Sequence, residues 1–194
     1  LAASAAMEGR STVSRDAAKK TTEIAVPIEK EMPMAEFVVP FEMYFDLRFQ
    51  KWDDVLALPQ PDAALSTAAA LWHFGRGVAL AAQKKVDAAT AERKAFDEAA
   101  SKVPPDAMMN LNMSKDLLAV ARATLDARLA AVRGQTDAAI AAWRKAIALE
   151  DTLAYDEPPA WYYPTRESLG GELLGTGKAV EAEVVFREDL KRNP

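Results

Sequence analysis

The chain has 194 residues, half of them hydrophobic, so it is long enough to bury the core of one domain or two. Its net charge of −5 arises from acidic and basic residues that are interspersed along the sequence. No basic stripe of the kind typical of nucleic-acid-binding proteins is present, so we expect no nucleic-acid partner. The sequence has no cysteine and one histidine, which excludes disulfides, thiolate chemistry and a usual zinc site built from this chain alone.

Two features bear on where the protein resides. No run of residues approaches the roughly 20 apolar positions that a membrane-spanning helix needs, so we expect no membrane insertion. Residues 1–6 lack the charged start and long apolar core of a signal peptide, and they resemble the end of a helix within a longer chain. Together with a composition rich in alanine, arginine and aspartate, this favours the carboxy-terminal part of a larger protein of bacterial type. Cytoplasm and periplasm both remain open.

The predicted secondary structure is helical throughout. Alanine is abundant and glycine is scarce, which favours close helix packing over a sheet. Leu118 and Leu125 belong to a series of apolar residues at three- and four-residue steps, as on one face of a helix. Ser114 and either Thr136 or Asp137 are candidate amino-terminal caps. The predicted helices lie near 12–25, 34–49, 52–58, 62–82, 86–102, 114–132, 137–149, 162–175 and 179–192.

One pattern occurs twice near the carboxy terminus and predicts a helical hairpin. A glycine ends the first helix, a small residue five positions later lets two helices approach, and an aromatic residue four positions further fills the space between them. The first copy has Gly134, Ala139 and Trp143, and the second has Gly177, Ala182 and Phe186. The second copy ends on Pro194, a residue that cannot continue a helix.

The same turn is predicted at five positions, namely Gly9, Gln50, Lys84, Gly134 and Gly177. One interval between them matches a period of about 34 residues, and the others are longer. The extra residues coincide with proline clusters at 26–33, 103–106 and 156–159, so insertions are expected between hairpins. This divides a single domain, 1–194, into degenerate units at about 1–25 and 34–58 and clearer units at about 69–103, 114–150 and 162–194.

On these residues the chain resembles the tetratricopeptide-repeat family. The resemblance covers most of the sequence, although Gln50 and Lys84 stand where glycine is usual and Val55 stands where a small residue is expected. It implies a right-handed superhelical α-solenoid of tandem helical hairpins, because each hairpin alone leaves its apolar face exposed. In this family, residues of the first helices line a concave groove that binds ligands.

The resemblance assigns groove positions residue by residue. The main candidates for binding a partner are Phe37, Tyr44, Arg48, Phe74, Thr124, Arg128 and Glu167. Further groove positions fall on Leu71, Val78, Ala131, Pro164 and Gly171. Apolar side chains with two arginines complement a peptide that offers a carboxylate and hydrophobic groups. The family pattern of lysine and asparagine that clamps a terminal carboxylate is missing.

The motifs that would indicate catalysis or a nucleotide cofactor are incomplete in this sequence. The stretch Gly171 to Ala179 resembles a phosphate-binding loop but has Glu172 and Ala179 where glycine and a hydroxyl residue are required. His73 lies on a predicted helix without a nucleophile motif, which is more typical of a structural histidine. We therefore expect a non-enzymatic protein without cofactor or metal.

The segment Trp161, Tyr162 and Tyr163 has two interpretations. The aromatic rings either anchor a partner, since such residues concentrate binding energy at interfaces, or hold the inserted segment on the preceding repeat. We favour the second interpretation.

The sequence thus predicts a protein interaction scaffold that binds a peptide or a partner protein in its groove. Two alternatives remain open at this stage. The chain is an accessory or regulatory region of a larger enzyme whose catalytic residues lie outside it or at His73, or it associates with a second copy of itself.

Overall fold

The computed structural model of the chain describes residues 1–25, 27, 33–62 and 64–192. Within these ranges the fold is all-α, as predicted, and strand is confined to two short segments. The α-helices are α1 (Ala2–Met7), α2 (Ser11–Ala25), α3 (Phe41–Arg48), α4 (Trp52–Ala57), α5 (Ser66–Ala82), α6 (Val86–Ala100), α7 (Ser114–Val132), α8 (Thr136–Glu150), α9 (Thr165–Gly175) and α10 (Ala179–Arg192). A 3₁₀ helix, Pro33–Val38, precedes α3.

Prolines account for two differences from the predicted helices. The single helix expected at 34–49 is interrupted at Pro40, which has no N–H to donate and disfavours helical geometry in the residue before it. The 3₁₀ helix therefore ends at Val38, and α3 begins at Phe41. In the same way, α9 begins at Thr165, directly after Pro164, and not at residue 162.

The five predicted turn residues all adopt the left-handed backbone conformation, which confirms the turn prediction. Their φ angles are 75° at Gly9, 56° at Gln50, 60° at Lys84, 72° at Gly134 and 80° at Gly177. The N–H of the next residue returns to a carbonyl in the last turn of the helix, as from Lys85 to Leu80 at 2.9 Å and from Gln135 to Ala130 at 2.9 Å. This arrangement satisfies carbonyl groups that the helix end leaves free and reverses the chain.

Each of these turns joins two helices that pack against each other, and the pairs are α1–α2, α3–α4, α5–α6, α7–α8 and α9–α10. Neighbouring pairs are also in contact, through α2 with α3, α5 with α7 and α8 with α9. Most of the core lies between α3, α5, α6 and α7, where Leu71, Phe74 and Leu125 have no exposed surface.

The small and aromatic residues of the repeated pattern lie where they were expected. Ala139 and Ala182 have no exposed surface, and Trp143 is 1% exposed. Phe186 packs against the same core, where a side-chain carbon at Gly170 would approach its ring to 2.3 Å. The aromatic ring therefore occupies space that only a glycine on α9 leaves open.

The predicted amino-terminal caps are wrong. No side-chain hydrogen bond caps α7 or α8, and the residues at those cap positions are Met113 and Gln135. Ser114 is instead buried as the first residue of α7, and its hydroxyl accepts a hydrogen bond from Thr67 at 3.1 Å. The hydroxyl oxygen of Ser114 therefore bonds to Thr67 on α5 and does not cap a backbone N–H of its own helix.

The insertions lie between helix pairs, as predicted. The prolines at 104 and 105 follow α6, and those at 158 and 159 lie between α8 and α9. Most of the cluster at 26–33, and Pro194, fall outside the described residues. The insertion after α6 contains the two strands, β1 (Met108–Met109) and β2 (Asn112–Met113), which pair antiparallel around Asn110 and were not predicted.

Candidate functional site

The segment 151–164, which joins α8 to α9, is fixed at both ends by charged contacts. Arg166 donates two hydrogen bonds to the carboxylate of Asp151, at 2.7 Å and 2.6 Å. These hydrogen bonds hold the pKa of Asp151 below its usual value. One oxygen of Glu150 accepts hydrogen bonds from the backbone N–H of Thr165, at 3.0 Å, and from its hydroxyl. The start of the segment is thereby tied to the first turn of α9.

The strand pair β1–β2 holds the middle of the same segment. The side-chain amide of Asn112 donates to the carbonyl of Ala154 at 3.2 Å and accepts from its N–H at 2.7 Å. Asn110 donates to Asp156 at 2.5 Å. The insertion after α6 is therefore hydrogen-bonded to the insertion between α8 and α9. These hydrogen bonds fix the path of the segment 151–164.

The aromatic residues at the end of this segment insert among the helices. The ring of Tyr162 stacks on Tyr44 of α3 with centroids 4.9 Å apart. Trp161 is 4% exposed and lies 5.4 Å, centroid to centroid, from Phe74 of α5. These rings hold the inserted segment on the helices through ring contacts with α3 and α5, and Trp161 also belongs to the core that Leu117 and Leu118 of α7 help to form. The favoured interpretation, attachment to the preceding repeat, therefore covers only part of these contacts.

An open cleft of about 580 Å³ lies where α3, α5, α7 and α9 approach one another. We call it the Arg48–Arg128 cleft. Its walls are apolar on α5 and α7 and charged at the edges of α3, α7 and α9. The residues that define it are Arg48, Val78, Ala81, Arg128, Ala131, Tyr163, Glu167 and Gly171.

Two arginines lie among the charged residues of this cleft, which also include Lys84, Glu167 and Glu172. The guanidinium of Arg48 lies 5.2 Å from the ring centroid of Tyr163, and that of Arg128 lies 5.1 Å from the centroid of Trp143. Among the described residues, no carboxylate comes within 4.0 Å of either guanidinium. The Nε atom of Arg128 is buried and has no hydrogen-bond partner in the same part of the chain. Both arginines therefore have guanidinium N–H groups without an acidic partner in the described part of the chain.

Tyrosine side chains separate these arginines. Burial raises the pKa of Tyr162 to about 12, while the charges of Arg128 and Arg48 act in the opposite direction. Burial, followed by a hydrogen bond to Glu167, also raises the pKa of Tyr163. Both phenols therefore remain protonated near neutral pH, and the hydroxyl of Tyr163 already donates to Glu167.

The structure separates the predicted groove residues into three groups. Arg48, Arg128 and Glu167 line the Arg48–Arg128 cleft. Phe37 and Tyr44 border a different cavity, which Arg48 also reaches. Phe74 and Thr124 lie in the core, at 0% and 4% exposure, so neither side chain is open to a ligand. The family pattern places all seven residues in one groove, and the burial of Phe74 and Thr124 excludes that arrangement.

His73 belongs to a group of polar contacts that links α5, α6 and α4. Its Nδ1 lies 2.6 Å from one oxygen of Glu92, and Arg76 donates to the other oxygen at 2.7 Å. Arg76 also donates to the carbonyl of Leu56 at 3.0 Å and lies over the ring of Trp72. These contacts orient the imidazole toward a neighbouring helix.

Searches for other kinds of site give negative results. In the described ranges, no group of three or more histidine, aspartate or glutamate side chains is placed to hold a metal ion. Across the same ranges, no helix combines the length and the apolar character needed to cross a membrane. No protein family, no curated protein and no solved structure matches the chain.

Proposed function

We propose that the protein is an α-solenoid of tetratricopeptide type that acts as a non-catalytic interaction module, with a carboxylate-bearing peptide segment of a partner protein as its ligand in the Arg48–Arg128 cleft. The repeat assignment is supported by five turns of the same left-handed geometry, each between two packed helices. The first helices of four successive pairs, α3, α5, α7 and α9, border one cleft. In a solenoid such a surface is the concave side, where extended ligands bind.

The choice of ligand rests on Arg48 and Arg128, which have no carboxylate partner among the described residues. A guanidinium offers a planar set of donors that matches a carboxylate, and charge-assisted hydrogen bonds of this kind are stronger than neutral ones. In the described part of the chain, the buried Nε of Arg128 has no partner, so this guanidinium is not saturated by the protein's own groups. A ligand carboxylate in the cleft would pair with the guanidinium groups of Arg48 and Arg128 that line it, while apolar side chains of the peptide contact Val78 and Ala131.

A displayed library of short random peptides tests this proposal. Peptides are selected on the wild-type protein and resynthesised with every aspartate and glutamate replaced by its amide. We expect the selected peptides to combine carboxylates with apolar residues, and to bind the Arg48→Gln, Arg128→Gln double variant about tenfold more weakly or worse. The amide peptides should lose the same factor.

The matched control is the Arg144→Gln, Arg187→Gln double variant. It removes two arginines whose side chains are 65% and 72% exposed on α8 and α10, so it repeats the change in net charge away from the cleft. Thermal unfolding checks that both variants remain folded. A selection that returns no binding peptide, or peptides that bind both double variants equally well, contradicts the proposal.

A further inference from the structure

A second cavity shares the lining residues Arg48 and Tyr162 with the Arg48–Arg128 cleft. It has a volume of about 240 Å³, and we call it the aromatic cavity. Its walls are formed by Phe37, Phe41, Tyr44, Trp161 and Tyr162. The ring of Phe37 meets that of Phe41 edge to face at 5.6 Å, and Tyr44 stacks on Tyr162. These contacts give the walls a fixed shape.

Two carboxylates line the same cavity. Glu150 uses one oxygen, Oε2, for both hydrogen bonds from Thr165, and Asp156 uses Oδ1 for the hydrogen bonds from Asn110 and from the N–H of Glu157. In the described part of the chain, Oε1 of Glu150 and Oδ2 of Asp156 accept no hydrogen bond. Each carboxylate is therefore oriented by one oxygen and has the second oxygen left for a ligand.

The balance of charge in this cavity is negative. Arg48 is the positively charged residue among those that line it, and its guanidinium lies over Tyr163 without an ion pair to Glu150 or Asp156. Burial raises the pKa of Glu150, although the hydrogen bonds from Thr165 and the charge of Arg166 act in the opposite direction. A cation bound beside Glu150 would further favour its ionised form.

We propose that the aromatic cavity binds a small organic cation, a compound with a protonated or quaternary ammonium group. Aromatic faces attract such cations through their negative charge density, and carboxylates provide the opposite charge. The volume is below the roughly 300–1,000 Å³ of pockets that accept drug-sized ligands, so it suits a compound of few non-hydrogen atoms. The site does not rest on the proposed peptide-binding function, because its carboxylates lie outside the Arg48–Arg128 cleft.

Isothermal titration with choline, n-butylammonium and 3,3-dimethylbutan-1-ol tests the proposal. The alcohol has the shape of choline without its charge, so it separates the charge of the ligand from its apolar surface. We expect at least one of the two cations to bind the wild-type chain saturably, and the alcohol to bind about tenfold more weakly than choline or not at all.

Two conservative variants locate the site. Glu150→Gln and Asp156→Asn each remove one negative charge and keep an oxygen that accepts the existing hydrogen bonds, and each should weaken cation binding about fivefold or more. Glu157→Gln is the control, because Glu157 is the exposed neighbour of Asp156 and does not line the cavity. Two variants are used so that the loss of fold in one leaves the other informative.

Three results would overturn the proposal. The first is the absence of saturable binding of both cations by the wild-type chain up to about 10 mM. The second is equal affinity for choline and the uncharged alcohol, which would mean that the cavity is merely apolar. The third is binding that neither Glu150→Gln nor Asp156→Asn weakens more than Glu157→Gln does.

Discussion

The ring of Tyr162 lies nearly parallel to the ring of Tyr44, with an angle of 10° between the planes and 4.9 Å between the centroids. Tyr44 comes from α3, and Tyr162 comes from the segment that joins α8 to α9. The stack therefore connects an inserted segment to a distant helix. Tyr162 lines both the Arg48–Arg128 cleft and the aromatic cavity, and Tyr44 lines the aromatic cavity. We therefore expect substitution of Tyr162 to affect the fold and both candidate sites.

We predict that Tyr162→Ala lowers the free energy of unfolding by about 2–4 kcal/mol, because it removes a large packed ring and its aromatic contacts. Denaturant unfolding followed by circular dichroism measures this change. Tyr155→Ala is the control in the same segment, since Tyr155 is 79% exposed, and we expect it to change stability little. Equal stability of the two variants would show that the segment 151–164 does not support the fold.

The turn at Lys84 gives a prediction about backbone strain. Its φ of 60° is unfavourable for a residue with a side chain, by about 1–2 kcal/mol, and favourable for glycine. Lys84→Gly should therefore raise the free energy of unfolding by about 0.5–1 kcal/mol, a change that thermal unfolding detects.

Lys85→Gly is the control for that turn. The adjacent Lys85 has a φ of −86°, so glycine there relieves no strain and adds freedom to the unfolded chain. We expect this variant to be equal to or less stable than the wild type. A decrease in stability for Lys84→Gly would mean that the left-handed conformation is not maintained in solution.

Local physics explains why the helices and turns were predictable from the sequence. Apolar residues at three- and four-residue steps indicate a helix wherever they occur, and a chain reversal after a helix requires a residue with positive φ. The spacing of the repeated turn predicts turn residues at Gln50 and Lys84 although neither is glycine, and both have positive φ. Pro40 interrupts a predicted helix for an equally local reason.

The candidate sites were less predictable, because they depend on contacts between distant segments. The pairing of Asn112 with Ala154 sets the path of the segment 151–164, and nothing in either local sequence indicates the other. That path buries Phe74 under Trp161 and brings Asp156 and Glu150 to one cavity. Asp156 is buried there while the adjacent Glu157 stays exposed, and nothing in the local sequence distinguishes these two acidic residues.

The small residues between paired helices lead to a packing prediction. Ala139→Leu and Ala182→Leu should each lower the free energy of unfolding by about 1–3 kcal/mol, because no space exists for the larger side chain at either fully buried position. Ala138→Leu places the same side chain at an exposed neighbouring position and serves as the control. Unchanged unfolding midpoints for both buried variants would contradict the helix packing described here.

The buried carboxylate of Asp46 predicts how stability depends on pH. Asp46 is 1% exposed, and its Oδ1 lies 3.0 Å from Arg15 Nε. Its Oδ2 has no hydrogen-bond partner in the described part of the chain. Burial raises the pKa of Asp46 from 3.8 to about 6, although Arg15 acts against this change. The folded protein therefore binds this proton more tightly than the unfolded chain does.

It follows that the contribution of Asp46 to stability is most favourable below the unfolded pKa and is lost as the pH rises through the folded pKa. Between about pH 4 and about pH 7, the loss should amount to roughly 1–3 kcal/mol. Asp46→Asn removes the titrating group, so the stability of this variant relative to the wild type should increase with pH across that range.

Denaturant unfolding at several pH values measures the difference between Asp46→Asn and the wild type. Asp16→Asn, at an exposed position on the same helix as Arg15, controls for the loss of one negative charge. In Asp46→Asn, Arg15 still has one acidic partner, since it also pairs with Asp54 at 2.9 Å. A difference that stays constant with pH would show that Asp46 is not buried as a carboxylate in the folded protein.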